Sequence, residues 1–108
     1  METDKLIQIT YLPKQGEMKK QALINAIEKS HSKLKDFLHG EVLLEVHFRE
    51  SKKQGMREQF EVNANANLAG ISLHAKFIDW DSEKALKHTL NSLEKEALKI
   101  KTSKSKKN

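Results

Sequence analysis

Lysine is the residue whose placement could do chemistry in this 108-residue chain. Lys29, Lys33 and Lys35 fall within one stretch of helical periodicity, and Lys84, Lys87, Lys95, Lys99 and Lys101 within another. Ammonium groups on a helix neutralise phosphates and release their counterions, which gives affinity for a polyanion without base readout. The competing reading of every such lysine is a solvated helix face. Composition alone does not separate the two.

Other chemistries find less support. The five histidines, His31, His39, His47, His74 and His88, show no metal-ligand spacing, and there is no cysteine to join them. His47 and His74 are expected near each other on neighbouring strands, as a solvated pair. Asp79 and Asp81 flank Trp80 where a helix begins, and capping accounts for them. No phosphate-binding loop, dinucleotide fingerprint or nucleophile elbow occurs, and the four glycines are scattered singly. The expectation is a protein that is no enzyme, takes no cofactor or metal, and has no small-molecule substrate.

The net charge of +5 is unevenly spread. Lys99, Lys101, Lys104, Lys106 and Lys107 lie in the last ten residues, which hold no acid, so Met1 to Leu98 is formally neutral. KTSKSKKN reads either as a solvated end or as an electrostatic arm for a polyanion. No apolar run approaches the roughly 18 residues of a membrane helix, and the N-terminus lacks the apolar segment of a signal peptide. A cytoplasmic protein without a membrane partner is expected. The expected organisation is a single domain over residues 1–101 followed by a flexible basic tail over 102–108.

The elements that must carry these lysines follow from periodicity. Lys5 to Leu12 alternates as a strand with Ile7, Ile9 and Tyr11 on one face, ended by Pro13 and Gly16. From about Glu17 to Leu38, Leu23, Ala26, Ile27, Leu34, Phe37 and Leu38 share a helix face, interrupted by Ser30 and His31. Gly40 is the expected left-handed residue closing that helix. Val42, Leu44, Val46 and Phe48 alternate as a second strand, and Ser51 to Gly55 forms a basic turn with Lys52 and Lys53. Phe60, Val62, Ala64, Ala66 and Leu68 make a third strand, with Ala69-Gly70 as a tight connection. Ile71, Leu73, Ala75 and Phe77 make the fourth. Leu86, Leu90, Leu93, Ala97 and Ile100 then form a helical stripe, with Asp81 as N-cap, Glu83 in the first turn and a Trp80–Ala85 staple before it.

The order β-α-β-β-β-α predicts an α+β domain: a four-stranded sheet with both helices packed on one face. The last three strands should form an antiparallel meander. The other face would be polar, carrying Glu45, His47, Arg49, Glu61, Asn63, Asn65, Asn67, Ser72, His74 and Lys76. Such a face is ordinary in α+β domains and is also a possible binding surface.

Leu73-His74-Ala75, Asp81, Ala85-Leu86 and Leu90-Asn91-Ser92-Leu93-Glu94-Lys95 are similar, without gaps, to a known family's L-H-A strand, acidic cap, A-A-I segment and hydrophobic-D-K-L-E-R helix. Ala22-Leu23, Ile27-Glu28, Lys33-Leu34 and Phe37 are similar to its A-L…V-E…K-L-x-x-F helix. The chain thus resembles, over nearly its whole length, the short ribosome hibernation-promoting factors, also called ribosome-associated translation inhibitors or sigma-factor modulation proteins. The resemblance implies the same β-α-β-β-β-α fold. It implies a monomeric partner of the small ribosomal subunit that binds rRNA near the decoding centre, blocks the mRNA and tRNA sites, and silences translation under stress. It implies rRNA contacts at Lys33, Lys95 and Lys99. Ile24, Ser30 and Asp36 stand where relatives often carry Arg or Lys, with Lys29 and Lys35 placed to compensate. Glu83 replaces a usual tyrosine. Lys84, Lys87 and Lys101 complete the candidate RNA-binding set. Two other readings stay open: a double-stranded RNA-binding domain, against which the acidic opening Asp81-Ser82-Glu83 argues, and a protein-interaction module that touches no nucleic acid.

Overall fold

The computed structural model describes residues 6–14, 16–52 and 58–106. In chain order the elements are β1 (Ile7–Thr10), α1 (Glu17–Leu38), β2 (Leu43–Lys52), β3 (Glu58–Leu68), β4 (Ile71–Asp79) and α2 (Ser82–Lys106). They form the expected α+β architecture, one four-stranded sheet in the order β1-β2-β3-β4. β1 runs parallel to β2, pairing Ile7 with Leu44 and Thr10 with His47. β2, β3 and β4 form the antiparallel meander, with Val46 opposite Ala64 and Ala64 opposite Ala75. The parallel β1–β2 pair needs a crossover, and α1 supplies it.

Alternation decides which face is covered. Leu44, Val46, Phe48, Val62, Ala64, Ala66 and Ala75 point one way and are buried. Onto them pack Leu23, Ile27, Leu34 and Leu38 of α1 and Ala85, Leu86, Leu90, Leu93 and Ala97 of α2, so both helices cover one face. The alanines of β3 and β4 leave room for the leucines of α2 above them. Thr89, also buried within this layer, turns its hydroxyl back to the Ala85 carbonyl at 2.8 Å. The opposite face carries the polar row: Glu45, Asn65 and His74 stand in register across three strands, as do His47, Asn63 and Lys76. His47 and His74 therefore share a face but are separated by β3, and are not neighbours.

Local chemistry departs from the periodic pattern at four places. β1 is shorter than the alternation from Lys5 to Leu12 predicts, and Lys5 lies outside the described residues. Tyr11 does not continue the face of Ile7 and Ile9: its φ of 58° turns the chain out of the strand, and its side chain is 75% exposed. The left-handed residue ending α1 is His39, at φ 56°, rather than Gly40. A Cβ at Gly40 would stand 2.9 Å from Leu68 Cδ1, so the end of that leucine would have to shift to admit it.

Ser30 and His31 interrupt α1 in type but not in direction, since both are buried. Ser30 Oγ donates to Glu94 Oε2 at 2.7 Å, and His31 Nε2 donates to the Val42 carbonyl at 2.7 Å. Each buried polar group has a partner, so these residues tie α1 to α2 and to the start of β2 without the cost of an orphaned polar atom. The basic turn expected between β2 and β3 lies, beyond Lys52, outside the described residues. The helix backbone of α2 continues to Lys106, so no helix end marks the expected boundary after Lys101.

Candidate nucleic-acid interface

The two helices lie side by side and parallel, and three contacts give their register. Lys19 Nζ meets Glu83 Oε1 at 3.5 Å and Ser30 meets Glu94, each pair 64 residues apart. Lys101 Nζ stands 5.5 Å over the Phe37 ring and keeps the same offset. A constant, same-sense offset along both helices requires parallel axes. Glu83 and Glu94, three turns apart, form an acidic seam along the line where the helices touch.

The start of α2 is held as its sequence predicts. Asp81 Oδ1 accepts from the Glu83 backbone N–H at 2.9 Å, and Asp79 Oδ1 accepts from the Asp81 N–H at 3.0 Å. The Asp81 carboxylate thereby satisfies a helix-terminal donor and fixes the rotation of α2 about its axis. That rotation buries the leucine stripe and turns Lys84, Lys87, Lys95 and Lys99 outward.

The candidate lysines divide by their partners. Lys33 reaches Glu94 at 3.8 Å, Lys35 reaches Glu41 at 3.9 Å, Lys87 reaches Glu83 at 3.3 Å, and Lys99 reaches Glu96 at 3.6 Å. Lys29, Lys84 and Lys95 are exposed and face no carboxylate among the described residues. Among the described residues Lys101 engages the Phe37 ring and no carboxylate. Lys84 and Lys95 are three turns apart and so lie on one stripe of α2, while Lys29 and Lys33 are one turn apart on α1. The eight residues thus occupy one helical layer but not one patch: Lys35 lies toward Glu41 at the far end of α1.

Charge is segregated between the layers. The α1 segment holds five lysines against three acids, and α2 holds seven against three. The strands hold five acids against three bases. Up to Leu98, α2 is balanced, with Lys84, Lys87 and Lys95 against Glu83, Glu94 and Glu96, so the positive surplus of the helices lies on α1 and on the last turns of α2, a distribution that attracts a polyanion to the helical side. Residue order hides the seam glutamates, which set the local strength of this field. The four-residue spacing of Glu83 and Lys87 was the one visible sign of them.

Among the described residues no group of histidine and carboxylate side chains is arranged to hold a metal ion. None of their helices is long and apolar enough to cross a membrane. The site's chemistry is electrostatic: fixed cations at helical spacing on a rigid two-helix platform.

A chain of this fold has solved counterparts. The N-terminal domain of Thermus thermophilus Protein Y superposes with a TM-score of 0.66 at 17% identity, covering 87% of this chain and 94% of that one. A ribosomal subunit interface protein from Coxiella burnetii superposes with a TM-score of 0.62 at 24% identity, covering 89% and 97%. At these identities the likeness is one of fold. No protein-family description matches the chain, and no curated protein matches it by sequence.

Proposed function

We propose that this protein is a ribosome-associated translation inhibitor of the hibernation-factor type. In this reading it binds small-subunit rRNA near the decoding centre through its helical layer and blocks the sites of mRNA and tRNA. The observation that carries the proposal is the segregation of positive charge onto the two parallel helices. A ribosomal subunit interface protein shares the fold, which supports a ribosomal partner, and the helix motifs around Leu34 and Lys95 support the same family.

Lysines fixed on packed helices match a fixed pattern of phosphates, as a folded RNA recognised by shape requires. Lys29, Lys84 and Lys95 supply the uncompensated charge. Lys33, Lys87 and Lys99 contribute once phosphate displaces their glutamates, an exchange made easy by the weakness of exposed ion pairs. Lys35 and Lys101 lie at the margins. The protein works in the cytoplasm as a monomer, without cofactor or catalysis, as part of a stress response, and residues 102–108 add nonspecific affinity for RNA.

The experiment is inhibition of cell-free translation by the parent and by Lys84→Glu/Lys95→Glu. The double variant should lose inhibition while its circular dichroism stays unchanged, because both side chains are exposed. Undiminished inhibition would remove these lysines from the contact.

A further inference from the structure

β1 ends at Thr10, opposite His47, whereas β2 runs on to Lys52. Past that point the chain turns out at Tyr11 and returns as a wall facing the edge of β2. A cavity of about 710 Å³ opens between the two, on the opposite edge of the sheet from β4 and on different elements from the helix lysines. Its apolar base is Leu12 and the buried Phe48. This volume is that of a ligand pocket, which runs from roughly 300 to 1,000 Å³.

The residues at its mouth are unlike a solvated strand end. Tyr11 holds a left-handed backbone conformation that side-chain-bearing residues seldom adopt, and its ring stands in solvent. His47 braces that ring edge to face, with centroids 5.4 Å apart and planes at 88°. Lys14 and Arg49 line the same cavity, as do Glu50 and Glu58. Glu61 stands opposite Arg49 in register, but its carboxylate accepts from Asn63 Nδ2 at 2.8 Å. Arg49 has no carboxylate partner among the described residues.

We propose that this cavity binds a nucleotide whose base is unpaired. The planar base stacks on the free face of Tyr11. Its phosphate lies between Lys14 and Arg49, and Glu50 or Glu58 accepts a hydrogen bond from an amino group on the base edge. Each part answers one ligand feature: a braced aromatic ring a π-face, two cations a phosphate, a carboxylate an exocyclic N–H donor. An extended peptide adding to the β2 edge is less well matched. Tyr11, Leu12 and Lys14 line the side of the space facing that edge, and the polar groups are too few and too clustered for a strand. Uracil lacks an amino group, so cytosine should bind better than uracil. This site stands on its own observations and does not depend on the ribosomal reading.

The test is a titration of the ¹⁵N-labelled full chain, followed by amide shifts, with hexacytidylate, hexauridylate and free cytidine monophosphate. Hexacytidylate should shift the amides of Tyr11, His47 and Arg49 and bind more tightly than hexauridylate. Tyr11→Ala should weaken hexacytidylate by roughly 5- to 100-fold, the loss of one base–aromatic stack, and Tyr11→Phe should retain it. Arg49→Gln should lower the slope of log affinity against log salt by about 0.7, the share of one phosphate on a single strand. Lys84→Gln/Lys95→Gln should leave the Tyr11 shifts unchanged, which separates this site from the helical layer. Cytidine monophosphate shifting the same amides as tightly as the hexamer supports the site with a free nucleotide as its ligand. Weaker binding of the monophosphate supports it with a strand as the ligand. No shift at Tyr11 and His47 with any of the three, or a Tyr11→Ala variant that binds like the parent, would overturn it.

Discussion

At the residue scale the decisive distinction is between side chains that fill space and backbones that bend. Leu93 is fully buried between the helices and the sheet, so Leu93→Ala should destabilise by about 2–5 kcal/mol through the cavity it leaves. Urea denaturation measures this, and a change near zero would take Leu93 out of the core. Two glycines offer a paired test. Gly70 closes the β3–β4 turn at φ 80°, so Gly70→Ala places a Cβ in the left-handed region, at a cost of about 1–2 kcal/mol. Gly40→Ala meets only the end of the Leu68 side chain, which can swing aside, so its cost should stay below about 1 kcal/mol. A larger loss at Gly40 than at Gly70 would reverse this account of why each is glycine. The leucine stripe and the Asp81 cap were legible in residue order because both are set by short-range spacing. The outward turn at Tyr11, the left-handed His39 and the burial of Ser30 and His31 were not. Ser30, His31 and Tyr11 depend on partners distant in sequence (Glu94, Val42 and His47), while the turn at His39 is a local choice, closed by the Lys35 carbonyl, that periodicity does not report.

At the scale of elements, the two periodicities of the chain predict all six elements and their α+β arrangement. Period 2 and period 3.6 dictate which faces are apolar, and faces must be covered. The parallel register of α1 against α2 has no such signature, since it arises only when Lys19, Ser30 and Phe37 meet Glu83, Glu94 and Lys101. That register pairs Lys19 and Lys33 with glutamates of α2, whereas Lys35, Lys87 and Lys99 pair with carboxylates near them in sequence and Lys84 and Lys95 with none among the described residues. Lys84→Gln/Lys95→Gln should therefore weaken RNA binding more than Lys35→Gln/Lys87→Gln. The first pair should lower the salt slope by up to about 1.4–1.8, at 0.7–0.9 per phosphate. The second pair should change it by less than half as much. Equal losses would mean that the carboxylates beside Lys35 and Lys87, Glu41 and Glu83, are irrelevant to binding. The C-terminal end of α2 belongs to the same scale. Truncation after Thr102 removes Lys104, Lys106 and Lys107 and should lower the slope by at most about 2–3 units while preserving selection of small subunits over bulk RNA. An unchanged slope would make those residues spectators, and lost selection would place specificity among them.

At the scale of the whole molecule, the fold gathers the positive surplus of α1 and of the last turns of α2 on one side. The crossover through α1 puts both helices on one face, and because they carry most of the lysines, that face becomes basic. The far face of the sheet carries Glu45 and Glu61 against Arg49 and Lys76, so it is balanced in charge, and the cavity beside Tyr11 lies at its β2 edge. A polyanion should therefore meet this protein helix side first. The central claim is that the polyanion is the small ribosomal subunit, and sedimentation of the purified protein with separated subunits and with bulk RNA tests it most directly. At physiological salt the protein should co-migrate with small subunits at a saturating ratio of one to one, should not follow deproteinised bulk RNA, and should be released by Lys84→Gln/Lys95→Gln. Free migration alongside small subunits, or equal binding to bulk RNA, would contradict it.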